Sequence, residues 1–198
     1  MRIGIFGGTF DPPHVGHLIL AEECRTQLAL DLLLWVVTDN PPHKRYVNIS
    51  PIEDRVKLVQ KAITGNDAFA LSRVDIDRPS PHFAIDTVNI LKQEYPGAQF
   101  FYLMGGDSLH DLPTWNRPQD FIETCDGIGV MRRHADQVDL ASLEEVLPGI
   151  SKKVLIVDAP ILEISSKQIR QRILDDQGFR YYLRDAVYKA VLEMGLYK

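Results

Sequence analysis

Two glycines and two histidines near the N-terminus have the spacing of a phosphate site, within the run GGTFDPPHVGH at residues 7–17. Gly7 and Gly8 follow a short apolar run, and glycine permits a sharp turn and a close approach of the backbone to a ligand. His14 and His17 are three residues apart, so on one helical turn both rings project to the same side. A helix start favours an anion, and imidazoles there can donate to phosphate oxygens or, when protonated, offset developing charge. The run matches neither a Walker A loop nor a GxGxxG fingerprint, so those two phosphate-binding motifs are excluded.

A second candidate anion site lies in the run ISSKQIR at residues 164–170. Ser165 or Ser166 is a natural N-cap for a helix that begins there. Lys167 and Arg170 then fall near the positive end of the helix dipole, which opposes them unless an anion docks at the same place. Arginine grips phosphate through a fork of donors. Taken alone, the run fits a solvated helix equally well, but together with the first site it favours anion binding.

Short apolar runs alternate with amphipathic stretches, which predicts an α/β fold with a doubly wound parallel sheet. The patterns predict strands at 2–6, 32–37, 70–75, 99–104, 127–131 and 154–157. They predict helices at 15–28, 51–64, 85–94, 119–124, 142–146, 166–175 and 183–193. Ser50 to Glu53 is predicted to form a capping box before the second helix. We expect one domain over 1–198, with 164–198 as its C-terminal helical part, and ligands beyond the carboxyl ends of the strands.

Composition narrows the class of partner. The chain has 198 residues and a net charge of −5, which argues against long nucleic acids but allows a compact polyanion such as a triphosphate. No apolar run approaches the ~20 residues of a membrane span, and two cysteines are too few for a disulfide framework. We therefore expect a cytoplasmic protein without a membrane partner. His14 and His17 lack the companion ligands of a zinc site, so no metal-binding side chains are expected.

These motifs together resemble a known family. The run at residues 7–17 is similar to the HxGH signature of the nucleotidyltransferase superfamily, and in its longer form GGTFDPxHxGH to bacterial nicotinate-nucleotide adenylyltransferases. Residues 164–170 resemble that family's ISSTxIR motif, with Lys167 in place of a small hydroxyl residue. The resemblance covers nearly the whole chain. It implies a Rossmann-like fold of the nucleotidyltransferase type and transfer of AMP from ATP to nicotinate mononucleotide, giving deamido-NAD and pyrophosphate in NAD biosynthesis.

Three further segments carry the same resemblance. Residues 105–115 resemble the family's GxDSLxxLxxW motif, which implies ribose contacts for Asp107 and stacking on the pyridine ring for Trp115. Residues 78–87 resemble a segment that helps to hold the mononucleotide, but Phe83 and Ala84 replace a tyrosine and a threonine, so two hydroxyl groups are missing. That departure leaves the choice between nicotinate and nicotinamide mononucleotide open. Near the C-terminus, Arg184 stands where proline is common in the family.

The resemblance implies in-line displacement, for which no general base is required because a phosphate monoester is largely ionised at neutral pH. Magnesium is expected mainly through ATP phosphates and water. The motifs and the resemblance predict three sets of site residues. The catalytic set is His14, His17, Lys44 and Arg170. The ATP-binding set is Gly7, Gly8, Thr9, Phe10, Asp107, Arg132, Ser165, Ser166 and Lys167, and the substrate-binding set is Phe83, Ala84, Asp86, Thr87 and Trp115. The alternatives are an adenylyltransferase acting on phosphopantetheine, or a nucleotide-binding regulator without activity.

Overall fold

The computed structural model describes residues 1–38, 49–132, 139–160 and 162–198. The strands in these ranges are β1 Arg2–Gly8, β2 Leu32–Val37, β3 Phe69–Ser72, β4 Gln99–Gly105, β5 Gly127–Arg132 and β6 Val154–Asp158. The α-helices are α1 Val15–Gln27, α2 Ile52–Ile63, α3 Ala84–Glu94, α4 Gly106–Asp111, α5 Pro118–Thr124, α6 Leu140–Val146, α7 Ser166–Leu174 and α8 Asp185–Glu193. Over the same residues, none of these helices is both long and apolar enough to span a bilayer.

The strands form one parallel sheet in the order β3-β2-β1-β4-β5-β6. The chain winds outward from β1 to β3, then returns to place β4 on the other side of β1. Open α/β sheets bind ligands where the strand order reverses in this way, beyond the carboxyl ends of the strands. In this sheet that point lies between the end of β1 at Gly8 and the end of β4 at Gly105. The predicted doubly wound parallel fold is therefore confirmed.

The sheet separates two apolar clusters, which place different helices on its two faces. One cluster contains buried residues of α1, α2, α7 and α8, for example Cys24, Val59, Ile169 and Val187. The other contains buried residues of α3, α4 and α5, for example Val88, Leu109 and Phe121. Because β1 contributes Phe6 to the first cluster and Ile5 to the second, the turn that follows β1 lies at the boundary between the two helical layers.

Two local predictions were wrong. The strand predicted at 70–75 ends at Ser72, because the carboxylate of Asp75 turns inward and bonds with Arg78 and Thr87. The capping box predicted at Ser50 does not form: Pro51 is the N-cap of α2, and no side chain caps this helix among the described residues.

Arg184, at the start of α8, forms hydrogen bonds with the end of α2. Its Nη1 donates to the carbonyl oxygens of Ala62, at 2.8 Å, and Thr64, which lie where a helix leaves carbonyls unsatisfied. We expect Arg184→Met to lower the free energy of unfolding by about 1 kcal/mol, the scale of one such hydrogen bond. Urea unfolding checks this against Arg180→Met, which removes an exposed ion pair with Asp185 and the guanidinium that lies over the ring of Tyr188. An equal loss of unfolding free energy in both variants would show that the bonds of Arg184 to the end of α2 do not add the expected stability.

Candidate active site

His14 and His17 cap the start of α1 for each other. His14 is the N-cap residue, and its Nδ1 accepts from the backbone N–H of His17 across 3.3 Å. In return, Nδ1 of His17 accepts from the backbone N–H of His14 across 3.2 Å. The two rings stack with their centroids 3.7 Å apart. The predicted placement of both rings on one side is thus confirmed, in a reciprocal form that the three-residue spacing did not specify.

This arrangement fixes where each neutral ring carries its proton. A ring nitrogen that accepts a backbone hydrogen bond cannot hold a proton, so in the neutral state of both histidines the proton is on Nε2. Burial lowers the pKa of His14 to about 4, so this ring is neutral at physiological pH in the ligand-free protein. In this neutral state His14 can donate a hydrogen bond from Nε2 but carries no positive charge.

The lowered pKa of His14 makes stability depend on pH. In the unfolded chain its pKa is near 6.5, so as the pH falls through 6.5 toward 4 the unfolded state binds a proton that the folded state does not. His14 therefore stabilises the fold fully above about pH 6.5 and progressively less below it. This shift corresponds to at most about 3 kcal/mol. We expect His14→Asn, which can still cap α1, to flatten the fall in urea midpoint between about pH 7 and about pH 5. Parallel curves for variant and wild type would contradict this.

The glycines of the first turn leave room for two rings. A Cβ on Gly16 would lie 3.0 Å from Nδ1 of His14, and one on Gly8 would lie 2.7 Å from the ring of Phe10. Phe10 has a positive φ of 49°, and its buried ring packs between Phe6, Trp35 and His17. A ligand could therefore contact the backbone of Phe10 but not its ring.

The start of α7 is joined to this turn. Ser165 caps α7 by accepting from the N–H of Gln168 at 3.1 Å, while the hydroxyl of Ser166 donates to the carbonyl of Pro12 at 2.8 Å. Nη1 of Arg170 donates to the carbonyl of Asp11 at 2.7 Å. The beginnings of α1 and α7 thus lie side by side. Within the described part of the chain, the other N–H donors of Arg170 have no hydrogen-bond partner.

Three residues that support the turn were not predicted from the sequence: Asp11, Arg55 and Tyr197. The carboxylate of Asp11, which is 2% exposed, accepts from the hydroxyl of Tyr197 at 2.7 Å and from the N–H of Ser50 at 3.2 Å. Arg55, which is 1% exposed, donates to the carbonyls of Thr9, Thr38 and Ser50 at 2.8–3.0 Å. Asp11 lies in the loop before α1 and Arg55 lies on α2; both carry a charge and are almost fully buried, and such groups need specific partners.

Three aromatic rings, those of Tyr102, Trp115 and Phe121, form a wall on the side of β1 opposite the histidines. Trp115 is partly buried and packs edge-on to Tyr102 at 6.0 Å and against Phe121 at 5.5 Å. A Cβ built on Gly7 would point toward this wall, 3.5 Å from the hydroxyl of Tyr102. Asp107 is exposed in the first turn of α4, next to the end of β4. Trp115 thus packs on the face of the sheet opposite Phe10, and Asp107 lies just beyond the carboxyl end of β4.

The start of α3 is held rigidly on the same side. Phe83 is its N-cap, no side chain caps it in the described ranges, and Ala84 is the first helical residue. Asp86 forms an ion pair with Arg117 at the start of α5. Thr87 is 2% exposed and donates to Asp75 at 2.6 Å, which also pairs with Arg78 at 2.9 Å. The side chain of Thr87 is thus engaged inside the protein.

Comparison with known proteins identifies the family. The model of the Cytidylyltransferase-like family matches residues 5–172. The chain is 40% identical to a probable nicotinate-nucleotide adenylyltransferase of Thermomicrobium roseum, covering 100% of this chain and 92% of that protein. It is 36% identical to a Bacillus pumilus protein of the same name, covering 100% and 98%. This chain belongs to the nicotinate-nucleotide adenylyltransferase family.

The same family appears among solved structures. A nicotinic acid mononucleotide adenylyltransferase of Plasmodium falciparum complexed with NaAD superposes with a TM-score of 0.78. The superposition covers 99% of this chain and 97% of that one, at 18% identity. At that identity the likeness supports the fold, and the family membership rests on the sequence relatives.

The other predicted residues of this family member are placed as follows. Lys44 lies outside the described residues, and Arg132 is described only as the last backbone position of β5. Lys167 is exposed in the first turn of α7. Thr9 is partly buried beside Gly8. For these residues the roles assigned from sequence stay predictions. Within the described ranges, no group of three or more histidine, cysteine or acidic side chains could hold a metal ion.

Proposed function

We propose that this chain transfers the adenylyl group of ATP to nicotinate mononucleotide, releasing pyrophosphate. The observation that carries the proposal is the meeting of two helix starts at the carboxyl end of β1, joined by the bonds of Ser166 and Arg170 to the turn at 11–12. Helix starts present free N–H groups and the positive end of a dipole, so a pair of them suits one triphosphate. Membership of the adenylyltransferase family supports the same reaction.

The ATP side is assigned to the face that carries α1 and α7. His14 and His17 donate from Nε2 to the triphosphate, and the backbone of residues 7–10 contacts the nucleotide. Arg170, with Ser165, Ser166 and Lys167 around the start of α7, holds the phosphates that leave as pyrophosphate. Lys44, Arg132 and Asp107 complete the set expected from the sequence. The support for this assignment is that both helix starts lie at one turn.

The reaction requires no covalent intermediate. A phosphate oxygen of the mononucleotide forms a bond to the α-phosphorus of ATP, while the bond from that phosphorus to the bridging oxygen of the β-phosphate breaks. The electron pair of the broken bond leaves with pyrophosphate. The attacking phosphate is largely ionised at neutral pH, so no protein base has to remove a proton. Catalysis is then positioning together with donors aimed at the charge that develops.

The mononucleotide is assigned to the other face. Its pyridine ring stacks on Trp115, which Tyr102 and Phe121 hold from behind. Its carboxylate accepts from backbone N–H groups at the start of α3, near Phe83 and Ala84. Asp86 and Thr87 support that start through their side-chain bonds to neighbouring elements rather than through side-chain contacts with the ligand. Backbone donors thus replace the two side-chain hydroxyls that the family pattern would provide.

Substrate choice tests the proposal. We expect purified protein with ATP and Mg²⁺ to release pyrophosphate with nicotinate mononucleotide at a kcat/KM at least ~10-fold above that with nicotinamide mononucleotide. That ratio is the scale of one hydrogen bond to a charged group. Phosphopantetheine should give no product. A preference for the nicotinamide form would overturn the substrate, and the absence of pyrophosphate with every acceptor would overturn the reaction itself.

Magnesium is assigned to the substrate, because the phosphates of ATP bind the ion themselves. When bound, it neutralises charge on the triphosphate. We expect EDTA to abolish turnover, added Mg²⁺ to restore it, and the melting temperature of the ligand-free protein to stay unchanged. A lower melting temperature in EDTA would reveal a resident structural metal and contradict this part of the account.

Two broader expectations accompany the proposed function. We propose that residues 1–198 act as one unit, since Ile169 of α7 and Val187 of α8 share an apolar cluster with Phe6 of β1.

The free thiols of Cys24 and Cys125 are buried, and burial raises the pKa of each to about 12. The cytoplasmic location expected from the sequence stays a prediction.

A further inference from the structure

We infer that Tyr197, the penultimate residue of the sequence, is a positioning residue that holds Arg170 in place for catalysis through the carboxylate of Asp11. This inference deepens the proposed function and rests on it, because it concerns the geometry of the arginine assigned to the leaving pyrophosphate. It joins residues that are 186 positions apart in the sequence.

The carboxylate of Asp11 is the centre of the arrangement. Its Oδ1 accepts from the hydroxyl of Tyr197 at 2.7 Å, and its Oδ2 accepts from the N–H of Ser50 at 3.2 Å. The guanidinium of Arg170 is 3.8 Å from Oδ2, and its Nη1 donates to the backbone carbonyl of Asp11 at 2.7 Å. Arg170 is therefore aligned by both the side chain and the main chain of one residue.

The direction of the bond from Tyr197 is fixed by its surroundings. Burial, together with the negative charge of Asp11, raises the pKa of Tyr197 well above its ordinary value. The hydroxyl therefore stays protonated and donates, and the carboxylate accepts. With Tyr197 on Oδ1 and Ser50 on Oδ2, both oxygens of Asp11 have a partner other than Arg170.

This division of partners matters for the arginine. Its Nη1 bonds with the main chain of Asp11, and its remaining donors have no hydrogen-bond partner within the described residues. Those donors can face a phosphate as a fork. Without the hydroxyl of Tyr197, the buried carboxylate of Asp11 lacks a donor on Oδ1, and its nearest cation is Arg170. The carboxylate would then draw the guanidinium toward itself and compete with phosphate for its donors.

Tyr197→Phe tests this inference because it removes the hydroxyl and keeps the ring. We expect kcat to fall about 10-fold, the scale of one misplaced charged hydrogen bond, while KM for the mononucleotide stays unchanged. Tyr188→Phe is the matched control, since Tyr188 is also a partly buried tyrosine of the C-terminal part and packs against Phe179. Assays run well below the unfolding midpoint of each variant, so that loss of the folded state does not contribute.

The decisive step repeats Tyr197→Phe in an Arg170→Ala background. If Tyr197 acts through Arg170, the double variant has the kcat of Arg170→Ala alone. A 10-fold fall that recurs in that background would show a general structural role and overturn the inference, as would wild-type kcat in Tyr197→Phe. If Arg170→Ala itself keeps wild-type activity, the proposed role of Arg170 fails, and the result is recognisable as a failure of the proposed function.

Discussion

His17→Ala is expected to fold normally and to lose at least ~100-fold in kcat, the scale of one lost transition-state donor. The structure explains why a single ring should matter so much. Nδ1 of His17 accepts from the N–H of His14, so the neutral ring carries its proton on Nε2. Phe10 packs edge-on against the ring at 5.1 Å and holds its orientation. A donor fixed in this way has little reorganisation to undergo when charge develops on the triphosphate.

Two further variants sharpen the result. His17→Gln keeps an N–H donor at a similar reach and should recover at least ~10-fold of the lost rate. His110→Ala, which removes an exposed histidine of α4, should leave the rate unchanged. Thermal unfolding shows whether each variant is folded. Wild-type kcat in folded His17→Ala would refute the role assigned to this ring.

Arg170→Ala is expected to produce a fall of similar size, about 100-fold in kcat, with little change in KM for the mononucleotide. Arg170 lies on α7, whose start is beside the start of α1, and donates to the carbonyl of Asp11. In the proposed mechanism it meets the charge that develops on the leaving pyrophosphate, which is greater in the transition state than in bound ATP. A loss in kcat rather than in mononucleotide binding follows from that position.

The same helix provides the control for this prediction. Arg172 donates to the carbonyl of Gly178 at 2.7 Å and lies over the ring of Tyr182, away from the turn. Arg172→Ala should therefore affect stability more than rate. Arg170→Lys should recover little activity, because an ammonium group cannot bond with Asp11 and also present a planar fork to phosphate. Equal rate losses in Arg170→Ala and Arg172→Ala would contradict the assignment.

Much of the fold could be read from local patterns. The buried parallel strands are short apolar runs, such as Leu32–Val37, and their alternation with amphipathic helices is enough to predict the doubly wound sheet. The strand predicted at 70–75 failed for a tertiary reason, since Asp75 is buried with Arg78 and Thr87. The short helix α4 was not predicted, because six residues give too little periodicity to recognise.

In the candidate site, too, local spacing was predictable from the sequence, whereas contacts that depend on the tertiary structure were not. The spacing of His14 and His17 predicted rings on one side, but their mutual capping depends on φ and ψ at His14, which the sequence does not specify. Phe10 belongs to the run that suggested ATP contacts, yet its ring is part of the core. Tyr197 and Asp11 are 186 positions apart in the sequence, so no local pattern could have connected them.

A crystal structure with a non-hydrolysable ATP analogue and Mg²⁺ tests the central claim most directly. We expect phosphate oxygens of one analogue molecule to lie within about 2.7–3.2 Å of both Nε2 of His17 and the guanidinium of Arg170. Phosphates contacted at only one of the two helix starts, or a nucleotide bound elsewhere on the sheet, would contradict it.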